Sequence, residues 1–103
     1  MSEVIKVAST KDLSVGRAIA VTVKDKTIAV FNVDGQFYAI DDTCSHAGGP
    51  LSEGELTGNI VTCPWHGATF DVTKGTPVNG IGSESLRSYT VIVEGEDIKI
   101  QIA

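Results

Sequence analysis

Every cysteine and every histidine of this chain falls in two short loops. The first reads Cys44-Ser45-His46-Ala47-Gly48-Gly49-Pro50-Leu51 and the second Cys63-Pro64-Trp65-His66-Gly67. Each offers one thiol and one imidazole, as C-x-H and C-x2-H, with sixteen residues between His46 and Cys63. Loops meeting at one end of a sheet would bring the four side chains into a Cys2His2 donor set. Two kinds of centre suit such a set: a tetrahedral zinc ion, or a two-iron, two-sulfide cluster with both cysteines on one iron and both histidines on the other. Spacing favours the cluster. A zinc finger of this ligand type separates its two histidines by a few residues on a helix, whereas here each histidine follows its own cysteine and no helix is predicted nearby. Gly48, Gly49 and Gly67 allow backbone N–H groups to come close, and such donors tune cluster sulfurs. Pro50, Leu51, Pro64 and Trp65 supply apolar cover that limits access of water.

The elements that must position these loops read as short strands separated by turns. Ala18 to Val23 and Thr27 to Val33 are rich in Val, Ile, Thr and Phe, which fit a pleated surface. Asp34-Gly35, between Thr27–Val33 and Gln36–Ile40, is a two-residue hairpin signal because that turn needs positive φ angles. Asn59 to Thr62 and Thr69 to Thr73 are further short runs, and Lys74-Gly75 is a turn. Ser88 to Val93, the turn 94–97 and Ile98 to Ile102 form a last hairpin, with Ile98, Ile100 and Ile102 alternating with Lys99 and Gln101. Ser9 to Leu13 is predicted to form one helical turn capped by Ser9 or Thr10. The fold class expected is all-β, a small antiparallel β sandwich or barrel. Residues 41–54 and 63–68 interrupt the strand rhythm as the two site loops.

The chain has 103 residues, enough for one domain with a core of its own. Hydrophobic residues make up 42% and charged residues 20%, a globular composition. With 8 Lys and Arg against 13 Asp and Glu, the formal net charge of −5 argues against nucleic acid and anionic membrane surfaces as partners. No apolar run approaches the ~20 residues of a membrane-spanning helix, and the first residues lack the pattern of a secretory signal. The expected address is therefore the cytoplasm, where a lone Cys44–Cys63 disulfide would be kept reduced.

The pattern Cys44-x-His46 followed by Cys63-Pro64-Trp65-His66-Gly67 resembles the two cluster-binding loops of Rieske [2Fe-2S] proteins. In length and strand order the whole chain is similar to the soluble Rieske-type ferredoxins of bacterial aromatic-ring dioxygenase systems. The resemblance implies a single Rieske domain over 1–103, with a cluster-binding subdomain of two loops inserted at approximately 41–73. It implies one [2Fe-2S] cluster, with Cys44 and Cys63 on the inner iron and His46 and His66 on the outer one. Gly48, Gly49, Pro50, Trp65, Gly67, Ala68 and Phe70 would surround it. Respiratory members carry an extra disulfide between the loops. The matching positions here resemble Gly49 and Trp65, which cannot form one. High-potential members place a serine and a tyrosine hydroxyl beside the cluster, at positions resembling Ala68 and Phe70. Without those donors the expected potential is at the low end of the Rieske range, about −150 mV. Residues 79–83 are expected to supply a third loop, without the proline the family often has there.

The function implied is one-electron transfer without catalysis, from an NAD(P)H-dependent flavoprotein ferredoxin reductase to a terminal ring-hydroxylating Rieske oxygenase, by a monomer. An oxygenase activity of the chain itself is rejected, because it would need a second iron site of two histidines and a carboxylate and both histidines are already used. The alternatives are an electron-transfer subunit or redox sensor of another redox complex, and a zinc-binding interaction module. Asp41, Asp42, Glu53 and Glu55 read as solvated loop charges, or more sharply as an acidic rim for a basic partner. Asp71 and Glu84 read as solvated charges. Tyr38 and Tyr89 read as strand core with hydroxyls in water.

Overall fold

A computed structural model describes residues 3–24, 26–42, 50–64, 68–78 and 85–102. In chain order the strands are β1 (Glu3–Ser9), β2 (Ala18–Val23), β3 (Lys26–Val33), β4 (Gln36–Asp41), β5 (Glu55–Thr57), β6 (Ile60–Thr62), β7 (Thr69–Asp71), β8 (Thr76–Pro77), β9 (Ser88–Glu94) and β10 (Asp97–Ile102). All pairings are antiparallel, in a six-stranded sheet ordered β1-β10-β9-β4-β3-β2 and a four-stranded sheet ordered β5-β6-β7-β8. Helix is limited to two 3-10 turns among the described residues, Thr10–Asp12 and Leu51–Glu53. The first is the predicted one. Ser9 caps it in a capping box completed by Asp12, so two otherwise unpaired backbone donors are satisfied locally.

The β3–β4 hairpin turns on Asp34 and Gly35, with φ of 51° and 92°, and Val33 pairs with Gln36 across it. Positive φ at both positions twists the turn in the sense of the flanking strands. β3 then runs through the centre of the molecule. Ile28, Ala29, Val30 and Phe31 are all fully buried, because successive side chains point to opposite faces and each face has its own core. Ile28 and Val30 pack with Leu13, Val23, Ala39, Ile98, Ile100 and Ile102. Ala29 and Phe31 pack on the other face with Ile40, Leu51, Val61, Cys63, Ala68, Phe70, Val72 and Leu86. Each large apolar side chain so buried contributes about 1.5–3 kcal/mol. The second cluster joins the small sheet to the large one. Asn32, also buried, is satisfied by donating to the Leu13 carbonyl at 2.9 Å and accepting the Gly35 N–H at 2.8 Å.

Three strands are absent from the sequence reading. β5 has one apolar residue in three, β8 is a two-residue strand containing Pro77, and β1 mixes charged and apolar residues with a register shift between Lys6 and Ala8. Their pairing is supplied by neighbouring strands, not by a pattern of their own.

Candidate metal centre

β6 and β7 pair in register, with Val61 opposite Phe70 and Thr62 opposite Thr69. The next rung outward is closed by the Cys63 N–H donating to the Ala68 carbonyl at 2.7 Å. Cys63 therefore stands at the base of a hairpin loop, across from Ala68. By the two-residue period of a strand, Val61 and Cys63 share one face, as do Ala68 and Phe70. All four enter the core cluster that also holds Leu51. Cys63 is 2% exposed and its thiol is in no disulfide.

The other loop leaves the same cluster. Its descending end is Asp42 and its returning end Leu51, whose N–H donates to the Asp42 carbonyl at 2.7 Å. The Ser52 N–H donates to Asp42 Oδ1, also at 2.7 Å, and the Asp42 N–H donates to the Thr27 carbonyl at 3.0 Å. Past the 3-10 turn, Gly54 lies against the end of β6: a Cβ there would stand 2.1 Å from the Thr62 carbonyl oxygen. The exit of the first loop thus abuts the residue before Cys63 because Gly54 has no side chain.

Cys44, His46, Gly48, Gly49, Trp65, His66 and Gly67 lie outside the described residues, as do 79–83 and Glu84. Leu51 and Cys63 are buried, Ala68 and Phe70 are fully buried and Pro50 is half-buried, whereas Pro64, expected as apolar cover, is exposed. The base of the 79–84 segment is tied down by the Leu86 N–H to the Gly75 carbonyl at 2.7 Å and by the Val78 N–H to the Thr69 carbonyl at 2.8 Å.

The two aspartates that open the first loop are not solvated charges. Asp42 is 6% exposed and engaged as described. Asp41 is half-buried and faces β9: Tyr89 Oη donates to its Oδ1 at 2.6 Å, the Arg87 N–H donates to its Oδ2 at 3.2 Å, and its own N–H donates to the Arg87 carbonyl at 3.0 Å. The Tyr89 hydroxyl is thus bonded to protein. Burial first, then the hydrogen bond to Asp41 and the charge of Asp41, hold this phenol far above its ordinary range, against an opposing effect of Arg87. An acidic rim would have to be made by Glu53 and Glu55, which are exposed. Asp71 also has a structural task. It accepts from the Thr73 N–H at 2.9 Å, Thr73 Oγ1 at 2.6 Å and Asn59 Nδ2 at 3.2 Å. Burial pushes its carboxyl up, but the Thr73 and Asn59 hydrogen bonds and the charge of Lys74 outweigh this and lower it. An aspartate where a strand gives way to a turn, with hydrogen-bonding residues two positions on, is the sequence signal for such a role.

A buried, unbridged thiol at a loop base, surrounded by apolar residues, is the kind of soft donor that iron–sulfur sites use. The chain matches the family model described as Rieske [2Fe-2S] domain over residues 3–90. It is 40% identical over 92 residues to the 3-phenylpropionate/cinnamic acid dioxygenase ferredoxin subunit of Shigella boydii serotype 4 (strain Sb227), covering 88% of this chain and 86% of that one. It is 33% identical over 88 residues to the naphthalene 1,2-dioxygenase system ferredoxin component of Pseudomonas aeruginosa, covering 85% of each. Among solved structures it superposes on a chain of the complex of reduced oxygenase and oxidized ferredoxin in carbazole 1,9a-dioxygenase, with a TM-score of 0.89 and 35% identity over 94% of this chain and 91% of that one. The chain belongs to the Rieske [2Fe-2S] domain family. It holds a single [2Fe-2S] cluster and, like its ferredoxin relatives, is an electron carrier and not a catalyst. Among the described residues no helix is long and apolar enough to cross a membrane.

Proposed function

We propose that this chain is the ferredoxin of an aromatic ring-hydroxylating dioxygenase system, taking electrons from an NAD(P)H-dependent flavoprotein reductase and delivering them to a terminal Rieske oxygenase. Cys44 and Cys63 hold one iron of the cluster and His46 and His66 the other. The cluster, when bound, supplies a one-electron couple. The remaining work belongs to the protein. The buried face of Cys63, Ala68, Phe70 and Leu51 fixes the thiolate end of the site and excludes water from it. Gly48, Gly49 and Gly67 give backbone donors access to sulfur, and Pro50 and Trp65 cover the loops. The histidines, at the outer iron, form the route by which the electron enters and leaves. The cluster-binding subdomain is residues 41–73, borne on the small sheet. The carrier acts as a cytoplasmic monomer, without nucleic acid or membrane.

The observation that carries this reading is the convergence of both loop bases, Asp42–Leu51 and Cys63–Ala68, on one core cluster. That convergence supports a common centre for the C-x-H and C-x2-H ligands. Names of relatives support the dioxygenase system as its setting. The test is reconstitution with an NADH-dependent flavoprotein ferredoxin reductase and a ring-hydroxylating oxygenase. Reduction of the oxygenase cluster by NADH should require this chain and be lost with Cys63→Ser. Turnover of an aromatic substrate by the purified chain and an electron source, without an oxygenase, would overturn the proposal.

A further inference from the structure

The two ligand loops are closed at their bases by different means. The second joins β6 to β7, neighbours in one ladder, so its ends are fixed by strand pairing and the Cys63–Ala68 backbone bond simply continues that pairing. The first runs from β4 of the large sheet to the 3-10 turn Leu51–Glu53, which leads into the small sheet. Its two ends are not partner strands of one hairpin, so another device must hold them together.

Asp42 occupies that position. Its N–H is fastened to the Thr27 carbonyl on β3, its carbonyl accepts the Leu51 N–H, and its carboxylate Oδ1 accepts the Ser52 N–H. One residue thus binds the large sheet and both residues that begin the returning turn. Asp42 is a buried residue. A buried carboxylate is costly unless it is hydrogen-bonded. Opening the loop base would break the short bond to Ser52, so that bond favours the closed base. A neutral backbone contact alone would hold the loop less firmly.

From this we infer that Asp42 is a positioning residue: through its bond to Ser52 it joins the two described ends of the loop that carries Cys44 and His46, and so helps to retain the cluster. The inference rests on the proposed ligand set. It requires the oxygen acceptor at Oδ1, so the isosteric amide should replace the carboxylate in part and a shorter side chain should not.

The test uses the cluster-loaded protein and three variants, Asp42→Asn, Asp42→Ala and Asp42→Glu. Cluster release into excess ferrous chelator is followed by visible absorption, and exchange of the Ser52 amide by nitrogen-15 NMR. Asp42→Ala should release the cluster about tenfold faster or more, the scale of a lost hydrogen bond to a charged group, with loss of protection at Ser52. Asp42→Asn, which keeps the acceptor and loses the charge, should fall between wild type and Asp42→Ala. If Asp42→Ala does not fold, Asp42→Glu carries the comparison, because it keeps the charge and displaces the acceptor by one methylene; faster release is again expected. Wild-type release from the Ala or the Glu variant overturns the inference, as does an Asn variant as fast as Ala. The ligand assignment fails separately: an intact cluster in Cys44→Ser would refute the ligand set, whereas wild-type release in Asp42→Ala with no assembly in Cys44→Ser refutes the role of Asp42 alone.

Discussion

Ala68 stands across the loop base from Cys63, fully buried and in the same core cluster. Replacing it by serine puts a hydroxyl beside a proposed cluster thiolate and changes little else in volume. A hydrogen bond to a charged acceptor contributes about 1.5–3 kcal/mol. The thiolate is an acceptor in both oxidation states, so only the additional strength gained on reduction moves the potential, roughly 1–1.5 kcal/mol of that range. A one-electron couple moves by ~59 mV for each tenfold change in equilibrium constant, which places Ala68→Ser about 40–60 mV above wild type. Burial supplies a second readout. A hydroxyl in this dry position that finds no acceptor costs about 1–3 kcal/mol, and each kcal/mol lowers the melting temperature of a domain this size by roughly 4–8 °C. Protein-film voltammetry and thermal unfolding of the same preparation therefore separate the cases. The expected result is a raised potential with a nearly unchanged melting temperature. An intact cluster with an unshifted potential and a lowered melting temperature would refute the placement of Ala68 beside the thiolate.

Gly54→Ala should destabilise the fold by about 1–3 kcal/mol, since its methyl would stand 2.1 Å from the Thr62 carbonyl oxygen; the shift in urea midpoint measures it. Tyr89→Phe removes the 2.6 Å bond to Asp41 and should cost about 1.5–3 kcal/mol at neutral pH. The folded phenol is raised above its unfolded value of about 10, so this stabilisation is complete below that pH and is lost as pH rises beyond it. The difference between wild type and Tyr89→Phe should accordingly shrink in alkali. Asp71 behaves in the opposite sense. Its folded carboxyl is lowered, so its contribution is present above about pH 3.9 and is lost as pH falls through the folded value. Urea titrations of wild type and Asp71→Asn should converge in acid.

Turn chemistry is legible in the sequence because it is local. Asp34-Gly35 announces a hairpin whose geometry few other residue pairs can adopt, and Ser9 with Asp12 announces a capped turn. The alternation of Ile98, Ile100 and Ile102 marks a strand with one buried face, and all three are buried. β5 and β8 were illegible because three residues, or two with a proline, carry no period. The roles of the aspartates are hidden for a different reason. Asp41 and Asp42 are charged residues at the start of a glycine-rich loop, a context that reads as solvent. Asp42 is hydrogen-bonded to Thr27 and Ser52, and Asp41 to Tyr89, 48 positions along the chain. The Tyr89 hydroxyl is hidden with it, since its partner is not visible until β4 and β9 are known to be neighbours. The motif marks Cys63 as a candidate ligand, and its place at a hairpin base follows only from the pairing of β6 with β7.

The assignment of two cysteines and two histidines to one iron–sulfur cluster is tested most directly by electron paramagnetic resonance of the dithionite-reduced protein with nitrogen hyperfine spectroscopy, alongside iron and sulfide analysis. Iron and acid-labile sulfide should be present in equal amounts, two of each per chain, with coupling from two histidine nitrogens. Replacing His46 or His66 should remove one of those couplings or the cluster itself. A colourless protein holding one zinc ion and no sulfide, or a reduced cluster without nitrogen coupling, would contradict it.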